Sequence, residues 1–207
     1  MKSFSTLLGK QTLLPIIQAD TVEQGLNIGK AMVAAGINLV EVVLRTEASL
    51  GIIEALKSEL PQLKVGAGTV IDGDIYKRAL DAGSDFIVTP TISTTLLNHL
   101  ATCPVPVLPG VSNTADILLA LEYGYKELKL FPASLSGGTL FLSATASVFK
   151  SMRFCPTGGI NKNNQQEYLA LDNVFAVGGT WIAKSEWVES EQWSEITTAC
   201  KAALDVK

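Results

Sequence analysis

The chain has 207 residues, 47% apolar and 17% charged, with a formal net charge of −4. That length suits one domain with a sizeable core, spanning 1–207, and is short for two. An acidic balance without a basic stripe argues against nucleic acid as a partner, and no apolar run reaches the roughly 18 residues needed to cross a bilayer, so no membrane partner is expected either.

From the N-terminus, the stretch from Met1 to Ile17 is broken by Lys10 and Gln11 before a signal-peptide core can form. Short β-branched runs then alternate with longer helical patterns. The predicted strands are Leu13–Gln18, Ile37–Leu44, Lys64–Val70, Asp85–Thr89, Val105–Pro109, Lys126–Phe131, Met152–Thr157 and Val174–Val177. Between them fall predicted helices at Thr21–Ala35, Ser49–Leu60, Asp72–Ala82, Ser93–Thr102, Asn113–Tyr123, Gly138–Val148 and Lys162–Leu171, with an eighth at Glu189–Val206. Thr21 with Gln24, and Asp72, are N-cap signals; Gly36, Gly83 and Gly124 are C-terminal stops. Eight βα units predict a (β/α)8 TIM barrel as a single domain, with a doubly wound open sheet as the structural alternative.

Two scarce residue types narrow the chemistry. Cys103, Cys155 and Cys200 are odd in number and lack CxxC spacing, so they read as reduced core thiols of a cytoplasmic protein. The one histidine, His99, lies in a helical segment and is expected at the surface. Multi-imidazole zinc chemistry and a Ser-His-Asp triad are therefore poor expectations.

In a parallel barrel the chemistry lies at the C-terminal ends of the strands. The second run, Val40-Glu41-Val42-Val43-Leu44-Arg45-Thr46, puts Glu41, Val43 and Arg45 on one face. A carboxylate in an apolar run needs a partner; a structural Glu–Arg pair would serve as well as a functional one. The sixth run places Lys129 between Leu128 and Leu130, where burial favours the neutral amine that imine chemistry requires. A rim lysine in a salt bridge is the plainer alternative. Gly66-Ala67-Gly68-Thr69 leaves room for a ligand and offers a hydroxyl. Thr89-Pro90 and Pro109-Gly110 are compatible with ordinary turns. Gly158-Gly159 and Gly178-Gly179 follow the seventh and eighth runs, where phosphate-binding barrels seat their anion.

Together, Glu41-x3-Arg45-Thr46, Gly66-Ala67-Gly68-Thr69, Lys129-Leu130-Phe131-Pro132-Ala133 and Arg153-Phe154-Cys155-Pro156-Thr157-Gly158-Gly159-Ile160 closely resemble the 2-keto-3-deoxy-6-phosphogluconate (KDPG) aldolase family. Members of that family often also cleave 4-hydroxy-2-oxoglutarate (KHG), and the similarity runs from about Leu14 to about Trp181. The resemblance implies a class I lyase of carbohydrate metabolism in the Entner-Doudoroff pathway, and it implies each role by position. Lys129 matches the imine-forming lysine and Glu41 the general acid/base. Arg45 and Thr69 match the groups that hold the pyruvate carboxylate, and Pro90 and Phe131 match residues packed around it. Gly158, Gly159, Gly179 and Thr180 fall where the family binds a distal phosphate, with threonine at 180 where serine is common. Thr157 matches a position linked to stereochemistry at C4, in its gluconate rather than galactonate form. The resemblance further implies a homotrimer acting on a small 2-keto acid or phosphosugar acid, without metal or organic cofactor. Two rivals share the fold: a phosphosugar isomerase or epimerase using Glu41 as base, and a non-catalytic phosphate-binding barrel.

Overall fold

Alternating helices and strands account for most of the span from residue 3 to residue 205, which this computed structural model describes. In chain order they are α1 (Phe4–Leu8), β1 (Leu13–Ile17), α2 (Val22–Ala34), β2 (Leu39–Val43), α3 (Ser49–Glu59), β3 (Lys64–Gly68) and α4 (Gly73–Asp81). Then come β4 (Phe86–Val88), α5 (Thr94–Leu100), β5 (Val107–Leu108), β6 (Gly110–Val111), α6 (Thr114–Glu122), β7 (Glu127–Leu130) and α7 (Gly138–Ala146). The series ends with β8 (Arg153–Pro156), α8 (Gln165–Leu169), β9 (Val177–Gly179), α9 (Ser185–Glu189) and α10 (Trp193–Leu204). The capping signals hold: Thr21 accepts from the Gln24 N–H at 3.2 Å, and Asp72 accepts from the N–H groups of Asp74 and Ile75 at 2.9 and 2.8 Å. Gly36, Gly83 and Gly124 all sit at positive φ just past helix ends.

The strand pairings are parallel, in an α/β fold. Six strands run in the order β5-β4-β3-β2-β1-β9, and three more in the order β6-β7-β8. The expected fifth strand is divided in two. Pro109 has no N–H to give a ladder, so the chain before it pairs with β4 and the chain after it with β7. The freed Gly110 N–H donates instead to the Thr89 hydroxyl at 2.9 Å. Isolated parallel bridges, Phe154↔Val174 and Thr157↔Gly178, join the far side of the three-stranded set to residues around β9.

Side-chain alternation sorts the strands into two apolar clusters. Leu13, Ile17, Val40, Val42, Val65, Ala67, Ile87, Leu128, Leu130 and Phe154 pack with helical residues such as Ile28, Met32, Ile52 and Leu56. The intervening residues Leu14, Leu39, Phe86, Val88, Leu108 and Cys155 form a second cluster, joined by Phe4 and Leu8 of α1. By the same alternation, Glu41 and Lys129 face the second cluster's side of the strands.

Further expectations are corrected. Helix α1 was not foreseen: Glu127 holds its first turn through the Ser5 N–H at 3.0 Å, and Phe4 meets Phe86 edge-on at 5.1 Å. The last strand lies at Val177–Gly179 rather than Val174–Val177, where only Val174 bridges. The expected helix Glu189–Val206 starts later, at Trp193 as α10: Glu189 ends the separate helix α9, and Glu191 with φ 53 lies between the two; Val206 lies outside the described residues. Arg45 lies past the end of β2 rather than within it.

Candidate active site

Lys129 and Glu41 come from β7 and β2, 88 residues apart, and meet where the second apolar cluster gives way to polar groups. Lys129 Nζ donates to Glu41 Oε1 at 3.0 Å and lies 3.4 Å from Oε2. Lys129 is 4% exposed and Glu41 0%, so the pair is shielded from water and each charge has the other as its partner. The Lys129 ammonium also lies 5.4 Å from the centre of the Phe131 ring, within cation–π range.

The pair's neighbours follow from strand register. Lys129 stands between Gly110 on β6 and Cys155 on β8. Gly110 has no room for a side chain, since a Cβ there would press into the backbone of Pro90 and Thr89. Cys155 is fully buried, and burial pushes its thiol up to about 12; Lys129 pulls the other way and Glu41 adds to the rise. It remains a thiol and gives the amine an uncharged neighbour.

At the ends of β2 and β3, Arg45 Nε donates to Thr69 Oγ1 at 3.3 Å. Thr69 has φ 63, a left-handed backbone rare for a β-branched residue. Thr69 follows Gly68 directly, and Gly68 lies against the Glu41 carboxylate. The Arg45–Thr69 unit thus adjoins the buried pair and leaves the exposed guanidinium free to meet an anion.

The two glycine pairs are brought side by side by the Thr157↔Gly178 bridge. Thr157 is buried and donates to the Cys155 carbonyl at 3.4 Å. Gly158 and Gly159 have φ 91 and 80, and the Gly158 carbonyl accepts from the Ser134 N–H at 3.1 Å. A Cβ at Gly158 would lie 3.1 Å from Pro132 and 3.3 Å from the Phe131 ring. The open side of Gly179 is filled by the Trp181 ring, so that glycine serves packing as well as any ligand. Thr180 is exposed and Pro90 half-buried. Sequence reasoning missed the Thr89–Gly110 bond and the Cys155 thiol beside the amine; Pro109-Gly110 and the odd cysteine were the available signals.

Residues 5–199 match the aldolase family described as KDPG and KHG aldolase. The 2-dehydro-3-deoxy-phosphogluconate aldolase of Pseudomonas aeruginosa is 40% identical over 97% of this chain and 91% of its own length. The KHG/KDPG aldolase of Escherichia coli K12 is 36% identical over 98% of this chain and 95% of its own. A solved KDPG aldolase from Legionella pneumophila, with pyruvate captured at low pH as a covalent carbinolamine intermediate, matches with a TM-score of 0.95 at 35% identity, covering 99% of each chain. Fold and comparisons together make this protein an aldolase. It belongs to the KDPG and KHG aldolase family.

Proposed function

We propose that the protein is a class I Schiff-base aldolase that reversibly cleaves KDPG to pyruvate and D-glyceraldehyde 3-phosphate, and KHG to pyruvate and glyoxylate. The observation that carries this is the buried contact of Lys129 Nζ with Glu41 Oε1 at 3.0 Å, in a chain whose relative holds pyruvate as a carbinolamine.

The amine must shed a proton before it can attack, and Glu41 is hydrogen-bonded to it and able to take that proton. Lys129 then adds to the C2 ketone, and loss of water from the carbinolamine gives an iminium. Glu41 as base removes the C4 hydroxyl proton. The C3–C4 bond breaks with its electrons passing to the iminium, and the aldehyde leaves. Glu41 returns the proton to C3 of the enamine, and water releases pyruvate and the amine. The iminium is the electron sink, so the reaction as written needs neither metal nor organic cofactor.

Arg45 and Thr69 hold the pyruvate carboxylate with charge-assisted bonds that fix C2 against Lys129, and Pro90 and Phe131 pack around it. Gly158, Gly159, Gly179 and Thr180 take the distal phosphate through backbone N–H groups and one hydroxyl, and Thr157 faces C4. The two strand sets close into a single-domain (β/α)8 barrel. Chain continuity across Pro109 at one seam and the bridges at Phe154 and Thr157 at the other support that closure. The working unit is a homotrimer, in keeping with the exposed Leu135, Leu140 and Val148 in and around α7. The free thiols suit a cytoplasmic enzyme.

Borohydride reduction in the presence of pyruvate, followed by peptide mapping, tests the central assignment. A reduced adduct on Lys129 is expected; labelling of another lysine, or of none, removes Lys129 from its role.

A further inference from the structure

We infer that Gly68 is a positioning residue of this reaction: its missing side chain is the space in which the Glu41 carboxylate sits against Lys129. The inference rests on the assignment of Glu41 as acid/base. A Cβ built on Gly68 falls onto Glu41 Oε1 and lies 2.7 and 2.8 Å from Cδ and Cγ of the same side chain. Its nearest neighbours are thus all atoms of one residue, the one hydrogen-bonded to the amine.

The other glycine of the Gly66-Ala67-Gly68 run does something different. Gly66 pairs with Glu41 and Phe86 in the strand register, and a Cβ there enters the Phe86 ring inside the second apolar cluster. At Gly110 the obstacle is backbone, with Pro90 O at 2.6 Å. A methyl group at either position pushes on something that cannot yield cheaply. At Gly68 it pushes on side-chain atoms alone, from the Glu41 carboxylate down to Cγ, which can turn about their own bonds, so the fold can stand while the carboxylate is displaced from Lys129. The Gly-x-Gly spacing, read from sequence as room for a ligand, is at Gly68 room for a catalytic group.

The test is a double-mutant cycle of Gly68→Ala and Glu41→Gln, read by aldol cleavage, by hydrogen–deuterium exchange at the pyruvate methyl group, and by borohydride trapping. Gly68→Ala is expected to lower kcat and methyl exchange by about 10²-fold, the scale of a 1 Å misplacement, with a smaller change in KM and with Lys129 still trapped. Its melting temperature should fall less than that of Gly66→Ala. Added to Glu41→Gln it should change the residual rate by no more than about twofold, because both substitutions remove one function. Wild-type rates in Gly68→Ala, or effects that multiply in full in the double variant, overturn the inference. If Gly68→Ala does not fold, Gly68→Ala added to a Glu41→Ala/Lys129→Met background, where neither carboxylate nor unpaired amine remains, must leave that background's melting temperature unchanged; a further fall there overturns it too. Full activity in Glu41→Gln alone is a separate result, which removes the acid/base assignment.

Discussion

Arg45 Nε donates to the Thr69 hydroxyl at 3.3 Å, and Thr69 holds a left-handed backbone, φ 63, to receive it. For a β-branched residue that conformation costs on the order of 1–3 kcal/mol, and such strain collects at sites where geometry is held for function. Glycine relieves the strain while removing the hydroxyl; serine keeps the hydroxyl. Thr69→Gly should therefore melt no lower than wild type yet raise the KM for keto acid about tenfold, the scale of one hydrogen bond to a charged group. Thr69→Ser should stay near wild type in KM. Equal KM values for the glycine variant and wild type would show that the hydroxyl does not touch substrate.

The buried ion pair makes stability and activity separable. Lys129→Met leaves the Glu41 carboxylate unpaired at 0% exposure, which typically costs about 3–5 kcal/mol. Removing the second charge as well, in Lys129→Met/Glu41→Met, should restore most of that loss while leaving the enzyme inactive, because apolar replacement of a whole buried pair is often neutral. Urea denaturation of the three proteins checks the order. A single variant as stable as wild type would mean that the charges are not mutually dependent.

Strand patterns named both members of this pair, but their meeting followed only from the family resemblance. Alternation within each strand already turned Lys129 away from Leu128 and Leu130, and set Glu41 among buried valines. Their contact joins residues 88 positions apart and needs the register of several strands, which no local pattern encodes. Helix α1 was illegible for a related reason. At five residues it is too short to stand alone, and it exists because Glu127 holds its first turn and Phe4 packs on Phe86. Helices with their own caps, such as those begun by Thr21 and Asp72, were legible because the signal is local. Arg45 followed strand parity in the sequence but lies past the strand's end, where the hydroxyl of Thr69 rather than parity directs its side chain.

In and around α7, Leu135 is 85% exposed, Leu140 82% and Val148 71%, three apolar side chains that an isolated chain leaves in water. If these side chains seal the proposed trimer, Leu135→Asp with Leu140→Asp should lower the mass seen by sedimentation velocity toward that of a single chain, with the helical circular-dichroism signal retained. An unchanged mass would put the subunit contact elsewhere.

The buried thiols and phenols fix how the protein meets alkali. Burial pushes Cys155 and Cys200 up from 9.0 to about 12. Burial, then contact with Cys103, pushes Tyr76 up from 10.0 to about 12, and burial with the nearby Cys103 does the same for Tyr125. Each of these groups is neutral when protonated, and each binds its proton more tightly in the fold than in the unfolded chain. Stability is therefore full below about pH 9, where both states keep their protons, and declines as the unfolded chain sheds protons that the fold retains, up to about pH 12. Absorbance at 295 nm should show the Tyr76 and Tyr125 phenols ionising late, together with the loss of structure rather than ahead of it. At pH 8, iodoacetamide should label the half-buried Cys103 and spare Cys155 and Cys200 until denaturant is added. Early labelling of Cys155 would mean that the floor beneath Lys129 opens to solvent, which the dry amine–carboxylate pair does not permit.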